Sequence, residues 1–167
     1  MSTRTFFRDV GIGLASGQAG NLVMDRVTTI LQEKEPQLAK EQEAKVSPGI
    51  SYNIAARQLS ERAGLHLSDE QVSRLGSVFH TGLGLAGGEL YVLLRRVTSM
   101  RPVPAALTMS MVLFLGVDEG LTPLMGWSTP PNAYPLATHL RGLIGHLSLG
   151  ATVALTAEAL SWLAGCD

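Results

Sequence analysis

The chain has little charge and fewer aromatics. Asp, Glu, Lys and Arg make up 16% of its 167 residues and Phe, Trp and Tyr 5%, where an ordinary soluble domain carries about a quarter charged residues. Neither sign of charge dominates: 13 basic and 14 acidic residues leave a net charge of −1, without the basic footprint of a nucleic-acid binder. One cysteine, Cys166, excludes an intrachain disulfide framework and a cysteine zinc site together. There is no nucleophile elbow or phosphate loop, and no His-x-x-x-His or Glu-x-x-His on a single segment. Nothing in the pattern argues for an enzyme, a cofactor or a metal.

What is present is apolar sequence, and it is segregated. Hydrophobic residues reach 46%, yet mean hydropathy is only +0.20, because a polar interval over about 32–74 is averaged with long greasy ones. Four segments, about 6–31, 75–94, 103–125 and 135–163, are long enough to cross a bilayer, which takes about 20 mostly apolar residues at 1.5 Å rise each. The reading is all-α: one transmembrane domain over 1–167, a four-helix bundle in a lipid bilayer, with a short amphipathic helix in the first loop. Arg4 and Arg8 ahead of an apolar run resemble a secretory signal, but Asp9, Gln18 and Asn21 interrupt it and no small-x-small cleavage site follows. A retained first helix is expected.

Punctuation sets the boundaries. Pro36 and Pro48-Gly49 break the polar interval, after which Ile54, Ala55, Leu59 and Ala63 recur at helical spacing opposite Arg57, Ser60, Glu61 and Arg62. Such a helix lies on the membrane surface or caps the bundle. Ser68-Asp-Glu-Gln71 reads as a capping box opening the second span. The basic link "RRVTSMRPVP" ends in prolines that start a new helix. With Arg4 and Arg8 it predicts, by the positive-inside rule, cytoplasmic N- and C-termini. Trp127, Tyr134 and Trp162 suit a membrane interface.

Four antiparallel crossings bring the end of span one, the start of two, the end of three and the start of four to one side. The polar residues there are Asp25, His80, Asp118, Glu119, His139 and Arg141, with His146 two turns beyond His139. Charged side chains in hydrocarbon cost a few kcal/mol on insertion scales, so they turn inward and pair. The expected pair is Asp118 or Glu119 with Arg141, with His80 and His139 close by. Glu89 and Glu158 stand alone toward the other side, Glu89 pointing away from its helix's glycine stripe. Small-residue stripes, Gly13 and Gly17 in span one, Gly84 and Gly88 in span two, Gly142 and Gly150 in span four, read as packing faces.

The order of these features resembles the YagU-like proteins, a bacterial inner-membrane family without an established activity. The stretches that carry the resemblance are "GLASGQAGNLVMD" (13–25), "FHTGLGLAGGELYVLLR" (79–95), "VDEGLTPLMGWSTPPNAYP" (117–135) and "THLRGLIGHLSLG" (138–150). It implies residence in the bacterial inner membrane and singles out His80, Asp118, Glu119, His139 and His146.

Two functions are compatible with this reading. The one this reading puts first is a non-enzymatic scaffold or accessory subunit, packing through its glycine faces against itself, as a homo-oligomer, or against a larger membrane complex. The other is a small proton-linked transporter or permeation protein, in which the Asp/Glu/His/Arg cluster lines a hydrated cavity and its histidines titrate near neutral pH.

Overall fold

The computed structural model describes residues 3–165, and side chains from residue 5 on; Cys166 and the side chain of Arg4 lie outside the described residues. The fold is all-helical, 84% helix, with no strand among the described residues. In chain order it has α1 (Thr3–Lys34), α2 (Gln37–Val46), α3 (Ser51–Arg62), α4 (Asp69–Val97) and α5 (Pro102–Met111). α5 continues without a break into a π-helix (Val112–Leu121) and one further α turn, α6 (Thr122–Leu124); a 3₁₀ turn at Pro131–Ala133 precedes α7 (Leu136–Leu163). Two continuous helices, Pro102–Leu124 and Leu136–Leu163, are long and apolar enough to cross a membrane.

Local chemistry sets these ends. Ser68 Oγ accepts from the Gln71 amide at 3.3 Å while Gln71 Oε1 accepts from the Ser68 amide at 2.8 Å, the reciprocal capping box that opens α4. Pro102 stands at the start of α5, where its missing N–H costs nothing. Pro36, Pro48 and the pair Pro130-Pro131 fall between helices.

The long helices meet where side chains are smallest. α1 packs along both α7 and α4, and α5 along α7. A Cβ on Gly88 would overlap the Gly13 carbonyl, and one on Gly17 would sit 2.5 Å from the Gly84 carbonyl. Only glycine lets the backbones of α1 and α4 approach so closely. Asn21 Nδ2 then donates across this seam to the Thr81 carbonyl at 3.1 Å. On α7, Gly142 faces Phe114, Gly145 faces Thr28 and Gly150 faces Ser110 and Ala106. The core between the helices is Ile12, Tyr91, Met109, Leu113, Leu149 and Val153.

The polar interval is more ordered than its composition suggests. It contains α2 as well as α3, and α3 packs on the start of α4. Its buried face is Ala55, Ala56 and Ser60, whereas the face expected from spacing, Ile54, Ala55, Leu59 and Ala63, leaves Leu59 and Ala63 exposed. The physical reason is proximity. Asn53 lies directly over Gly76, and a helix that close to α4 inserts small residues and turns its larger apolar ones outward.

Candidate functional site

The end of α1, the start of α4, the π-helix and the start of α7 come together at one end of the bundle, under α2 and α3. A cavity of about 560 Å³ lies there, lined from α1, the π-helix and α7 and from α2, the start of α3 and the link before α7, but by no residue of α4. Asp118, Glu119, His139 and Arg141 line it together with Tyr52 and Glu43.

The histidines and acids are sorted into three couples. His139 Nδ1 lies 2.8 Å from Glu119 Oε1, His80 Nε2 lies 2.9 Å from Asp25 Oδ1, and the buried His146 has Nε2 3.5 Å from Asp118 Oδ2. The second ring nitrogen matters as much. His139 Nε2 is 3.0 Å from the Pro131 carbonyl, and His146 Nδ1 is 2.9 Å from the Gly142 carbonyl. A carbonyl only accepts, so each of these nitrogens carries a proton, and the opposite nitrogen of each ring is left facing a carboxylate. Between Glu119 and His139 one more proton is then required for a hydrogen bond, since a bare ring nitrogen and a carboxylate both accept. That proton is shared: it makes either an imidazolium beside a carboxylate or a neutral ring beside a carboxylic acid.

The π-helix presents the two acids. Thr122 N–H bonds to the Val117 carbonyl, five residues back. Pro123 has no N–H to continue that pattern to the Asp118 carbonyl, and the Thr122 hydroxyl takes its place at 2.6 Å. Gly120 carries no side chain where the Leu115 carbonyl comes to 3.0 Å from a Cβ position. The wide winding is thus matched by residues that tolerate it, and π segments recur at functional positions. Asp118 and Glu119 consequently reach His146 and His139, which stand two turns apart on one face of α7.

Arg141 does not pair with Asp118 or Glu119, which corrects the expected ion pair. Its Nη1 holds both oxygens of Glu35 at 2.8 and 2.7 Å, and its Nη2 holds Glu43 Oε1 at 2.6 Å. The guanidinium is 13% exposed, between carboxylates 9% and 20% exposed. A planar fork satisfies two carboxylates at once, and the end of α1 and α2 bring both to it. Thr138 Oγ1 also donates to Glu43 Oε2 at 3.0 Å. Neither glutamate was legible as a partner, because both fall in or beside an interval that reads as loop.

Tyr52 also went unread. Its ring packs against that of His80, centroids 5.1 Å apart, at the cavity wall. Burial raises its phenol well above the ordinary tyrosine range, and the negative charges of Asp118 and Asp25 push the same way.

At the opposite end a second cavity of about 110 Å³ lies among Asp9, Tyr91, Arg95, Arg96 and Glu158. Glu158 is not alone there: Arg95 Nε and Nη2 donate to its two oxygens at 2.7 and 2.8 Å, and the Tyr91 hydroxyl donates at 2.8 Å. Arg96 holds Asp9 Oδ1 at 2.9 Å. α4 and α7 both run from the larger cavity toward this end, which brings residues distant in sequence to one level. Glu89, read as turned away from the packing faces, lies against Gly13 in the α1–α4 seam, and its Oε1 is buried without a hydrogen-bond partner among the described residues.

Among the described residues no three His, Cys, Asp or Glu side chains are gathered so as to hold a metal ion; the acids and histidines stand in couples. No family model, curated protein or solved structure matches the chain.

Proposed function

We propose that this chain is a four-span integral membrane protein of the bacterial inner membrane that moves a small polar solute in exchange for, or together with, protons. The observation that carries the proposal is the cavity wall in which Glu119 and His139 share a proton. A titratable couple opening on a polar cavity is the apparatus that proton-linked permeation needs.

Four crossings are supported by packing. α1 and α4 carry too many charges to read as spans on composition, but their 32 and 29 residues extend about 48 and 43 Å, and they lie alongside α7. If α7 is in the bilayer, so are they. Outward-facing Leu14, Leu22, Val78, Leu93, Leu115 and Leu155 are exposed, as lipid contact requires. The short basic link and the N-terminal arginines favour the Arg95–Glu158 end, with both termini, as the cytoplasmic one, a topology that opens the larger cavity on the far side; the six Lys and Arg of 32–74 at the cavity end pull the other way. The order of motifs supports kinship with the YagU-like proteins.

The accessory-subunit reading loses support. The glycine stripes that would dock a partner are filled by neighbours within the chain: Gly84 by Asn21, Gly88 by Gly13, Gly150 by Ser110.

The test uses Ser51→Cys and Ser128→Cys, two cavity-lining positions, in a Cys166→Ser background, in oriented vesicles. Both cysteines are expected to react with a membrane-impermeant thiol reagent from the non-cytoplasmic side. Proteoliposomes with an internal pH dye are expected to report solute-driven proton movement. Failure of both sites to label from either side, with the protein co-purifying in a larger complex, would return the accessory subunit to first place.

A further inference from the structure

The class of solute follows from how the charges in the cavity are spent. Its lining has three carboxylates, Glu43, Asp118 and Glu119, and a single Lys or Arg, Arg141. Arg141 is not free for an anion. Both of its terminal nitrogens already hold Glu35 and Glu43, and a solute carboxylate or phosphate would have to displace a two-carboxylate clamp. Glu43 is spent in the same clamp. What is left to meet a solute is Asp118, whose ion-pair partner among the described residues is His146 at 3.5 Å, and Glu119, which shares a proton with His139.

Three rings share the cavity with these acids. Tyr52, Phe114 and Tyr134 all line the cavity, in a chain with few aromatics. Carboxylate counter-ions together with ring faces recognise an ammonium group, and the donors stand in couples that gather no metal ion among the described residues.

We infer that the cavity takes a small organic cation, its ammonium group seated against Asp118 and Glu119 among the rings of Tyr52, Phe114 and Tyr134. This rests on the cavity being a solute site, as proposed above. The exchange balances. The cation enters, the proton shared by Glu119 and His139 leaves to solvent, and the charge held in the cavity is unchanged. The titratable and charged groups that line the cavity with this couple are Arg141 from α7, Asp118 from the π-helix, Tyr52 from α3, Glu43 from α2 and Tyr134 from the link before α7. The couple His80–Asp25 joins α4 and α1 behind Tyr52.

The experiment is calorimetric titration of the full chain in nanodiscs with methylammonium, tetramethylammonium and choline. The uncharged choline isostere 3,3-dimethylbutanol and acetate serve as controls. At least one ammonium is expected to bind saturably, and neither control. Repeating the titration in buffers of different ionisation enthalpy is expected to show about one proton released per cation bound, the stoichiometry of linkage at one site. Glu119→Gln is expected to weaken binding by roughly tenfold, the size of one screened charge contact, and to abolish proton release. Tyr134→Phe is expected to bind like the native chain and Tyr134→Leu about fivefold more weakly.

Acetate binding, or ammonium binding unaffected by Glu119→Gln, overturns the inference. So does the absence of binding by all three cations. If none binds while Ser51→Cys and Ser128→Cys still label, the solute class alone is wrong; if they do not label either, the solute site falls with it.

Discussion

His139 is held between two acceptors, Glu119 Oε1 at 2.8 Å from Nδ1 and the Pro131 carbonyl at 3.0 Å from Nε2. Because the carbonyl fixes a proton on Nε2, the contact with Glu119 exists only while a further proton sits between ring and carboxylate. Glu119→Gln replaces that arrangement with an amide N–H donated to the bare ring nitrogen, which keeps the hydrogen bond and removes the exchangeable proton. Proton movement in proteoliposomes is expected to fall to background while the thermal unfolding midpoint stays close to native. A variant that unfolds early, or that still moves protons, would show the couple to be a structural contact.

Arg141 is the opposite case, a stability residue at the same cavity. Arg141→Met leaves Glu35 and Glu43, both mostly buried, facing each other without a cation. Breaking a buried ion pair from one side costs about 3 kcal/mol or more, and detergent-denaturation midpoints are expected to drop accordingly. The triple variant Arg141→Met, Glu35→Gln, Glu43→Gln is expected to recover most of the loss, since it leaves no uncompensated charge. If Arg141→Met were as stable as the native chain, the clamp would be ornamental.

The sequence carried the helical frame far better than the pairing. Long apolar runs, the capping box at Ser68 and the prolines at Pro36 and Pro102 locate the long helices to within a few residues, because each signal is local. That Asp25, His80, Asp118, Glu119, His139 and Arg141 share one end also follows from counting crossings. Which acid meets which base does not. It depends on rotation about each helix axis, and the π-winding before Pro123 rotates Asp118 and Glu119 in a way no α-helical wheel supplies. Arg141 was misassigned for a further reason: its partners Glu35 and Glu43 belong to α1's end and to α2, and charged residues in a polar interval give no sign that they fold back.

Tyr52 makes a prediction at alkaline pH. Its phenol is held protonated in the fold by burial and by Asp118 and Asp25, whereas an unfolded tyrosine ionises near pH 10. The folded state therefore keeps its proton where the unfolded state loses it. The stabilisation tied to that proton is complete below about pH 10 and is lost as pH rises further. Stability is expected to fall with pH in this window, and Tyr52→Phe to flatten the slope. Absorbance at the tyrosinate band is expected to show Tyr52 ionising only as the protein unfolds; early, reversible ionisation would contradict its placement.

The α1–α4 seam predicts a sharp contrast between glycines of one helix. Gly88 has no space for a methyl group, since Gly13 and Gly17 backbone atoms occupy it, while a Cβ on Gly82 would meet nothing within 4 Å among the described residues. Gly88→Ala must push α1 off α4 and is expected to cost about 2 kcal/mol. Gly82→Ala is expected to be neutral or to stabilise by up to ~1 kcal/mol through helix propensity. Equal effects at the two positions would mean that α1 and α4 do not meet through Gly13, Gly17 and Gly88.

The Asp118 carbonyl tests the π-helix. In that winding its donor would be the N–H of residue 123, which is proline, and the Thr122 hydroxyl fills the gap. Thr122 is buried, so Thr122→Val strands a carbonyl away from water, at a cost of about 1–3 kcal/mol. Pro123→Ala restores the missing N–H in the register that reaches Asp118, so the double variant Thr122→Val, Pro123→Ala is expected to be more stable than Thr122→Val alone. In an ordinary α-helix the Asp118 carbonyl would already accept from the N–H of residue 122, so Thr122→Val would strand nothing there and Pro123→Ala would have no such loss to rescue. Denaturation of the two variants side by side therefore distinguishes the windings. Because the winding aims Asp118 and Glu119 at His146 and His139, a failed rescue would also remove the reason these two acids reach their histidines.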